Sequence, residues 1–247
     1  MSDRIVASWL GRIPYLDGWR LQEAVATRVR EGGPDRLLLL EHDPVYTIGK
    51  RGSEANLIAP PDVLRSNGAS VYRVDRGGDI TYHGPGQLVG YPVVALADKT
   101  DLVAYVRGLE AALIAALAGY GIAARRVTGK TGVWVDLSDG RPAKIAAIGV
   151  RVSRGVTTHG FALNVSTDLD AFARMIPCGF AHEVASLARL GVSASLQDVG
   201  IQVATALAAR LSRSLEWAEL APARDDEVPA DAPVREAEDL IAEAVAI

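Results

Sequence analysis

The sequence contains a single cysteine, Cys178, among 247 residues. One thiol excludes a disulfide framework and a cysteine-based zinc site within the chain, so we expect a reducing, cytoplasmic compartment. Long apolar runs are also missing, since Leu37–Leu40 and Leu113–Gly119 fall far short of the ~20 residues that span a bilayer. No charged-then-apolar leader opens the chain. We therefore expect no membrane association.

The chain has little excess charge of either sign. Its net charge is −4, but residues 221–247 hold eight acids and two bases, which leaves +2 for residues 1–220. That excess is too weak to indicate nucleic acid, and no run interleaves aromatic and basic residues as stacking platforms do. A modest patch for an acidic protein partner stays open. The acidic, Ala/Pro-rich tail at 221–247 is predicted to be mobile and outside the site.

Hydrophobic periodicity predicts one large α+β domain over residues 1–220. Helical spacing runs from Pro14 to Arg30 and from Leu102 to Ala118, and Ser195 to Asp198 resembles a capping box that begins a last helix. Between the helices lie short strand-like runs, and four of them between Ile122 and Val165 predict an antiparallel meander. Gly129-Lys130-Thr131 lacks the earlier glycine of a phosphate loop, so a hairpin turn is predicted there.

The stretch from Arg76 to Gln87 holds four glycines and a proline between two strand-like runs. This composition predicts a loop whose backbone approaches something closely. A glycine-rich hairpin is the alternative from the glycines alone. The order Arg, Gly-Gly, Thr, His adds polar groups without an evident structural need, and this favours a ligand loop.

Cys178 is either an inert core residue or a nucleophile, and Lys144 is a group that can lower a thiol pKa. Strand alternation would turn Lys144 to one face with Ala146 and Ile148, where a charge without a partner is costly. A lysine that extends its ammonium to water is the alternative. Because the helix predicted over Asp168 to Met175 would direct its negative end toward Cys178, a thiolate there would need a nearby cation.

The histidines allow an alternative interpretation, in which Cys178 is the nucleophile of a cysteine–histidine hydrolase. His182 is too close to Cys178 in sequence for that arrangement, and His159 is interpreted as a structural hydrogen-bonding residue. His83 is the histidine that we expect in the site. Without acidic neighbours at ligand spacing, these histidines predict no metal site.

Five motifs together resemble the octanoyltransferases of lipoate biosynthesis, over about Arg4 to Trp217. They are Arg76-Gly-Gly-x-x-Thr-Tyr-His83 with Gln87 and Tyr91, Lys144-Ile-Ala-Ala-Ile-Gly-Val, His159-Gly-Phe-Ala-Leu-Asn164-Val, Pro177-Cys178-Gly179, and Ser186-Leu187. The resemblance implies the α+β fold of biotin and lipoate protein ligases, with a mixed sheet covered by helices. One departure is Ala185, where the family pattern has threonine.

The resemblance also implies a mechanism. Cys178 takes an octanoyl or lipoyl group from acyl carrier protein, Lys144 lowers its pKa, and a lysine of a lipoyl domain then attacks the acyl-enzyme. The acceptors would be lipoyl domains of 2-oxoacid dehydrogenase E2 subunits and glycine cleavage H protein. No cofactor or ATP is expected, because the acyl group arrives as a thioester. We expect a monomer.

The resemblance further assigns a substrate site to Arg76, Gly77, Gly78, Asp79, Ile80, Thr81, Tyr82, His83, Ala147, Ile148, Gly149, Gly160, Phe161 and Ala162. Two alternatives stay open. An ATP-dependent lipoate or biotin ligase of the same fold would form an adenylate and tolerate loss of Cys178. A non-enzymatic module that binds a carrier protein would need neither Lys144 nor Cys178.

Overall fold

The computed structural model describes residues 2–97, 102–176, 183–220 and 235–236. Its α-helices are α1 Tyr15–Arg30, α2 Pro61–Ser66, α3 Leu102–Ala118 and α4 Leu196–Arg210. Its strands are β1 Arg4–Ile13, β2 Asp35–His42, β3 Val45–Ile48, β4 Ser70–Arg73, β5 Ile80–His83, β6 Gln87–Val93, β7 Arg125–Val127, β8 Lys130–Asp136, β9 Pro142–Ser153, β10 Val156–Asn164, β11 Glu183–Val184, β12 Ser214–Trp217 and β13 Arg235–Glu236. The long predicted helices are confirmed.

The larger sheet of the described residues is nine-stranded and runs β12-β1-β2-β6-β10-β9-β8-β7, with β11 beside β9. β1 pairs in parallel with β2 and β12, whereas β6 to β10 pair antiparallel. The predicted meander is therefore confirmed as β7 to β10. β12 was not expected, and it adds an edge strand in parallel to β1. The α+β fold with a mixed sheet is confirmed.

Helices cover both faces of this sheet, because its central strands are apolar on both sides. In β2, Leu37 and Leu39 face the core under α3 and α4, while Leu38 and Leu40 face α1. All four leucines are fully buried, as expected for a continuous apolar strand within a covered sheet. The Ser195 side chain accepts the amide hydrogen of Asp198 at 3.1 Å and so begins α4 as predicted.

A second, four-stranded sheet is built from β13, β4, β3 and β5. Its strand β5 lies inside the stretch from Arg76 to Gln87, so the prediction of one continuous loop was wrong. The alternation in β5 explains the strand, since Ile80 and Tyr82 are buried in an apolar cluster with Tyr46. The glycines on either side obscured this short pattern.

The helix predicted over Asp168 to Met175 was also wrong. A 3-10 helix covers Leu169–Arg174, and Met175 is already extended. Two short turns of this kind provide little aligned dipole, so the argument that a helix end opposes a thiolate loses its basis. Cys178 and His182 lie outside the described residues.

No helix within the described ranges is long and apolar enough to span a bilayer. Of the residues 221–247, the structure describes only β13, which pairs antiparallel with β4. The domain boundary at residue 220, the mobile tail, the cytoplasmic location and the monomeric state stay predictions.

Candidate active site

A cavity of about 870 Å³ opens where strands of the two sheets face each other. This volume falls in the range of about 300–1,000 Å³ that is typical of ligand sites. Every residue of the predicted substrate site lines it except Tyr82. The Tyr82 ring instead packs against Tyr46 and Phe172, on the opposite side of β5 from Thr81 and His83.

The Arg76–Gly78 segment covers one wall of the cavity by direct backbone contact with β9. The amide of Gly77 donates to the carbonyl of Val150 at 3.1 Å. A Cβ atom on Gly149 would lie only 2.8 Å from the carbonyl oxygen of Gly77. This distance is too short for a non-bonded contact, and a backbone oxygen cannot move aside as a flexible side chain could. The close approach that the glycines predicted is therefore real, and it requires glycine at position 149.

The buried guanidinium of Arg76 holds this loop to the second sheet. Its Nη2 donates to the Thr47 carbonyl at 2.6 Å, and its Nη1 donates to the Gly77 carbonyl at 3.0 Å. Asp79 braces the other end, because its carboxylate accepts hydrogen bonds from the Ile80 amide and from Asn56 Nδ2. Arg76 and Asp79 thus shape the cavity wall as well as line it.

His83 belongs to a hydrogen-bonded chain that reaches β10. His83 Nδ1 donates to Gln87 Oε1 at 2.8 Å, Gln87 Nε2 donates to Asn164 Oδ1 at 2.9 Å, and Asn164 Nδ2 donates to the carbonyl of Ala185 at 3.0 Å. Burial lowers the pKa of His83 to about 3, so the ring is neutral at physiological pH. Its Nε2 is therefore a lone-pair acceptor, 3.5 Å from Thr47 Oγ1.

His159 is held in an unusual backbone conformation in the middle of β10, with φ of +57°. Its Nε2 lies 2.8 Å from Asp75 Oδ1, and Asp75 Oδ2 pairs with Arg151 at 2.7 Å. Burial lowers the pKa of His159, although the hydrogen bond to Asp75 opposes that shift. The interpretation of His159 as a hydrogen-bonding residue is confirmed, but His159 also lines the cavity, so the expectation that His83 is the histidine of the site was incomplete.

Lys144 lies in β9 at the cavity wall, with its ammonium over the indole of Trp134. The Nζ atom is 4.8 Å from the ring centre, within cation–π range. Lys130, on the β7–β8 hairpin, places its own Nζ 5.2 Å from the same centre. Two cations therefore share one buried aromatic ring.

The expectation that Lys144 shares a face with Ala146 was wrong. Val133 pairs with Ala146, whereas the next residue, Trp134, pairs with Lys144, so β9 carries one extra residue at this point. Such a bulge reverses the alternation of side chains. Ala146 is consequently buried in the core, and Lys144 lines the same cavity as Ala147.

Two described residues near Cys178 in the sequence line this cavity. They are Met175, three residues before Cys178, and Val184, six residues after it, which is the β11 residue that pairs with Lys144. The amide of Ala185 donates to the carbonyl of Lys144 at 2.9 Å. The amide and the carbonyl of Ala185 therefore both have hydrogen-bond partners, although no threonine hydroxyl is present at this position.

Residues 14–208 match the family model of the lipoyl protein ligase A/B catalytic domain. The chain is 53% identical over 193 residues to an octanoyltransferase of Solibacter usitatus, covering 77% of this chain and 86% of that protein. It is 50% identical over 201 residues to an octanoyltransferase of Mycobacterium leprae, covering 80% of this chain and 84% of that protein. The chain belongs to the lipoyl protein ligase A/B catalytic-domain family.

Two solved structures share the fold of this lipoyl protein ligase A/B domain. A bipartite archaeal lipoate protein ligase of Thermoplasma acidophilum matches with a TM-score of 0.70 at 21% identity, over 92% of this chain and 89% of that one. A lipoate-protein ligase A bound with ATP matches with a TM-score of 0.69 at 19% identity, over 92% and 91% of the two chains.

Sequence reasoning missed several residues in and around this site. Trp134 and Lys130 carried no motif that linked them to Lys144, and Asp75 gave no sign of its pairing with His159. His42, which ends β2 next to the cavity residue Tyr91, also carried no sequence motif. It is fully buried, and its Nε2 accepts a hydrogen bond from the Tyr91 hydroxyl at 2.7 Å. A polar residue at the end of the apolar strand β2 was the available signal.

Proposed function

We propose that this protein is an octanoyltransferase that moves an octanoyl or lipoyl group from acyl carrier protein to the lysine of a lipoyl domain. The observation that carries the proposal is Lys144 on the wall of a cavity with small, apolar positions, in a chain whose relatives at 50–53% identity are octanoyltransferases. The lipoyl domains of 2-oxoacid dehydrogenase E2 subunits and glycine cleavage H protein are the proposed acceptors.

Cys178 is the proposed nucleophile. Its thiolate attacks the thioester carbonyl of the donor, the carbon–sulfur bond to phosphopantetheine breaks, and the departing thiolate takes a proton from the Lys144 ammonium. The neutral amine of the acceptor lysine then attacks the Cys178 thioester, an amide forms, and its excess proton passes to Lys144. The placement of Met175 and Val184 at the cavity supports this assignment, because they lie three residues before and six residues after Cys178 in the sequence.

The apolar wall suits an acyl chain. Ala147 pairs with Ala162, and Gly149 pairs with Gly160, so two adjacent strands present small residues side by side. Roughly six methylenes buried at ~0.8 kcal/mol each would contribute about 5 kcal/mol to binding. Small residues leave a narrow slot that a bulkier side chain would close.

No ATP enters the proposed reaction, since the donor is already a thioester and the product amide is more stable. Mass spectrometry of the protein after incubation with octanoyl-acyl carrier protein tests the first half-reaction. We expect one octanoyl adduct on Cys178 and none in Cys178→Ala. An adduct that persists in Cys178→Ala would refute the covalent mechanism.

The variant Lys144→Ala tests the proposed role of Lys144 in activating Cys178. We expect the fold to be retained and transfer to be lost, with a thiol that reacts only at higher pH, because the neighbouring cation that favours the thiolate is gone. A thiol pKa that does not change in this variant would contradict the role of Lys144. Adenylate formation from free octanoate and ATP would instead indicate a ligase.

A further inference from the structure

Glu110 lies in the middle of α3 and is completely buried. Its Oε1 accepts a hydrogen bond from the Gly132 amide at 3.0 Å. Its Oε2 accepts one from Arg107 Nη1 at 2.6 Å and pairs with Arg126 Nε at 3.0 Å. Because Arg126 belongs to β7 and Gly132 to β8, this one carboxylate ties both strands of the β7–β8 hairpin to α3.

Gly132 is the hairpin residue that faces the stem of Lys144. Its φ is +116°, and a Cβ atom there would lie 2.5 Å from the carbonyl oxygen of Ala146. The same Cβ position is 3.5 Å from Lys144 Cε and 3.6 Å from Cδ. Gly132 therefore faces the aliphatic stem of Lys144 at a distance that a single methyl group would fill.

The head of Lys144 depends on the same strand. Trp134, two residues beyond Gly132 in β8, provides the ring beneath the Lys144 ammonium. A shift of β8 would move the stem contact and the aromatic ring together. The position of β8 relative to α3 thus determines where the Lys144 ammonium lies.

A buried carboxylate is costly unless its oxygens are bonded, and Glu110 meets that requirement with two guanidinium groups and one backbone amide. Glu110 does not itself line the cavity, although Arg107, Lys130 and Thr131 around it do. Its influence on the cavity therefore passes through its partner Arg107 and through the hairpin.

We infer that Glu110 is a positioning residue, which holds β8 at Gly132 so that the Lys144 ammonium stays over Trp134 at the cavity wall. The catalytic part of this inference rests on the proposed function, since it takes Lys144 as the proton carrier. The geometric part, from Glu110 to Gly132 to Lys144, stands independently of it.

Glu110→Ala removes the carboxylate, and Glu110→Gln keeps an acceptor for the Gly132 amide but loses the charge. Asp35→Asn is the matched control, because Asp35 is also buried, also accepts a backbone amide hydrogen, from Ala95 at 2.8 Å, and also pairs with an arginine, Arg213. Asp35 does not line the large cavity.

The first readout does not depend on activity. The chain has four lysines, so reductive methylation with ¹³C-formaldehyde gives few signals, and those of Lys130 and Lys144 are assigned from Lys→Arg variants. We expect ring-current shifts for both in the unsubstituted protein and in Asp35→Asn. The Lys144 signal should lose its shift in Glu110→Ala and retain part of it in Glu110→Gln.

The second readout is octanoyl transfer, measured well below the melting temperature of each variant. Displacement of a catalytic group by about 1 Å can reduce a rate about 10²-fold, and we expect a loss of that order in kcat for Glu110→Ala with little change in KM. Asp35→Asn should retain its kcat.

If Glu110→Ala does not fold, Glu110→Gln carries the same comparison. A Lys144 signal that keeps its full ring-current shift in both Glu110 variants, or a kcat equal to that of Asp35→Asn, would overturn the inference. A native protein without transfer activity would refute the proposed function alone, since the lysine signals would still test the geometry.

Discussion

The Lys144 ammonium lies over the face of Trp134, at 4.8 Å from the ring centre, and the two residues are paired across neighbouring strands. The ring is fully buried, so it offers the ammonium a fixed support on the side away from water. A cation–π contact of this kind contributes about 0.5–2 kcal/mol. This contact orients the residue on which the proposed chemistry depends.

Trp134→Phe should slow acyl transfer by about two- to thirtyfold, because a smaller ring supports the Lys144 ammonium less well. Single-turnover measurement of octanoyl-enzyme formation checks this. Trp19→Phe is the control, since Trp19 is equally buried but does not line the cavity. Equal rates for the two variants at a temperature where both are folded would contradict a role for the Trp134 ring.

Gly149→Ala should displace the Arg76–Gly78 segment and weaken substrate binding. The added methyl would lie 2.8 Å from the Gly77 carbonyl oxygen and 3.2 Å from Arg76 Cδ. We expect a lower thermal stability by about 1–3 kcal/mol, as for other overpacked positions, together with a raised KM for the acyl donor.

Gly108→Ala is the control for that substitution. Gly108 lies in α3, and a methyl there would meet only Arg210, at 3.8 Å. Because alanine favours a helix over glycine by about 1 kcal/mol, this variant should be as stable as the unsubstituted protein or more so. An unchanged KM in Gly149→Ala would show that the loop does not need its contact with β9.

The buried histidines should make the protein less stable in acid. Burial lowers the pKa of His42 to about 4 and that of His83 to about 3, whereas unfolded imidazoles take up protons near about 6.5. Below about pH 6.5 the unfolded state therefore binds more protons than the native state. The free energy of unfolding should fall as pH falls, by up to ~1.4 kcal/mol per pH unit for each histidine.

Urea denaturation at several values between about pH 7 and about pH 5 measures this dependence. His42→Gln provides the comparison, because it removes one titrating group and His42 does not line the cavity. Its free energy of unfolding should fall less steeply with decreasing pH than that of the unsubstituted protein. Parallel slopes would show that His42 is not held neutral in the native state.

Elements with long, regular periodicity could be predicted from the sequence. The bounds of α3 agree with the predicted Leu102 to Ala118, because an amphipathic repeat over five turns outweighs local exceptions. The short strand β5 was hidden among glycines, and β12 has no pattern of its own until β1 pairs with it. Such short strands are too brief to show a periodic pattern, so their structure depends on the strands with which they pair.

By itself the sequence determined the family, the alternation of apolar strands and helices, and a part of the cavity lining, from Arg76 to His83 without Tyr82 and in β9 and β10, since these follow from motifs and local periodicity. Tertiary structure alone decided which face Lys144 occupies, because one extra residue in β9 reverses the side-chain alternation. It also decided that Trp134, Gly132 and Glu110 support Lys144. Those contacts join α3, β8 and β9, and no spacing along one strand encodes a contact among three elements.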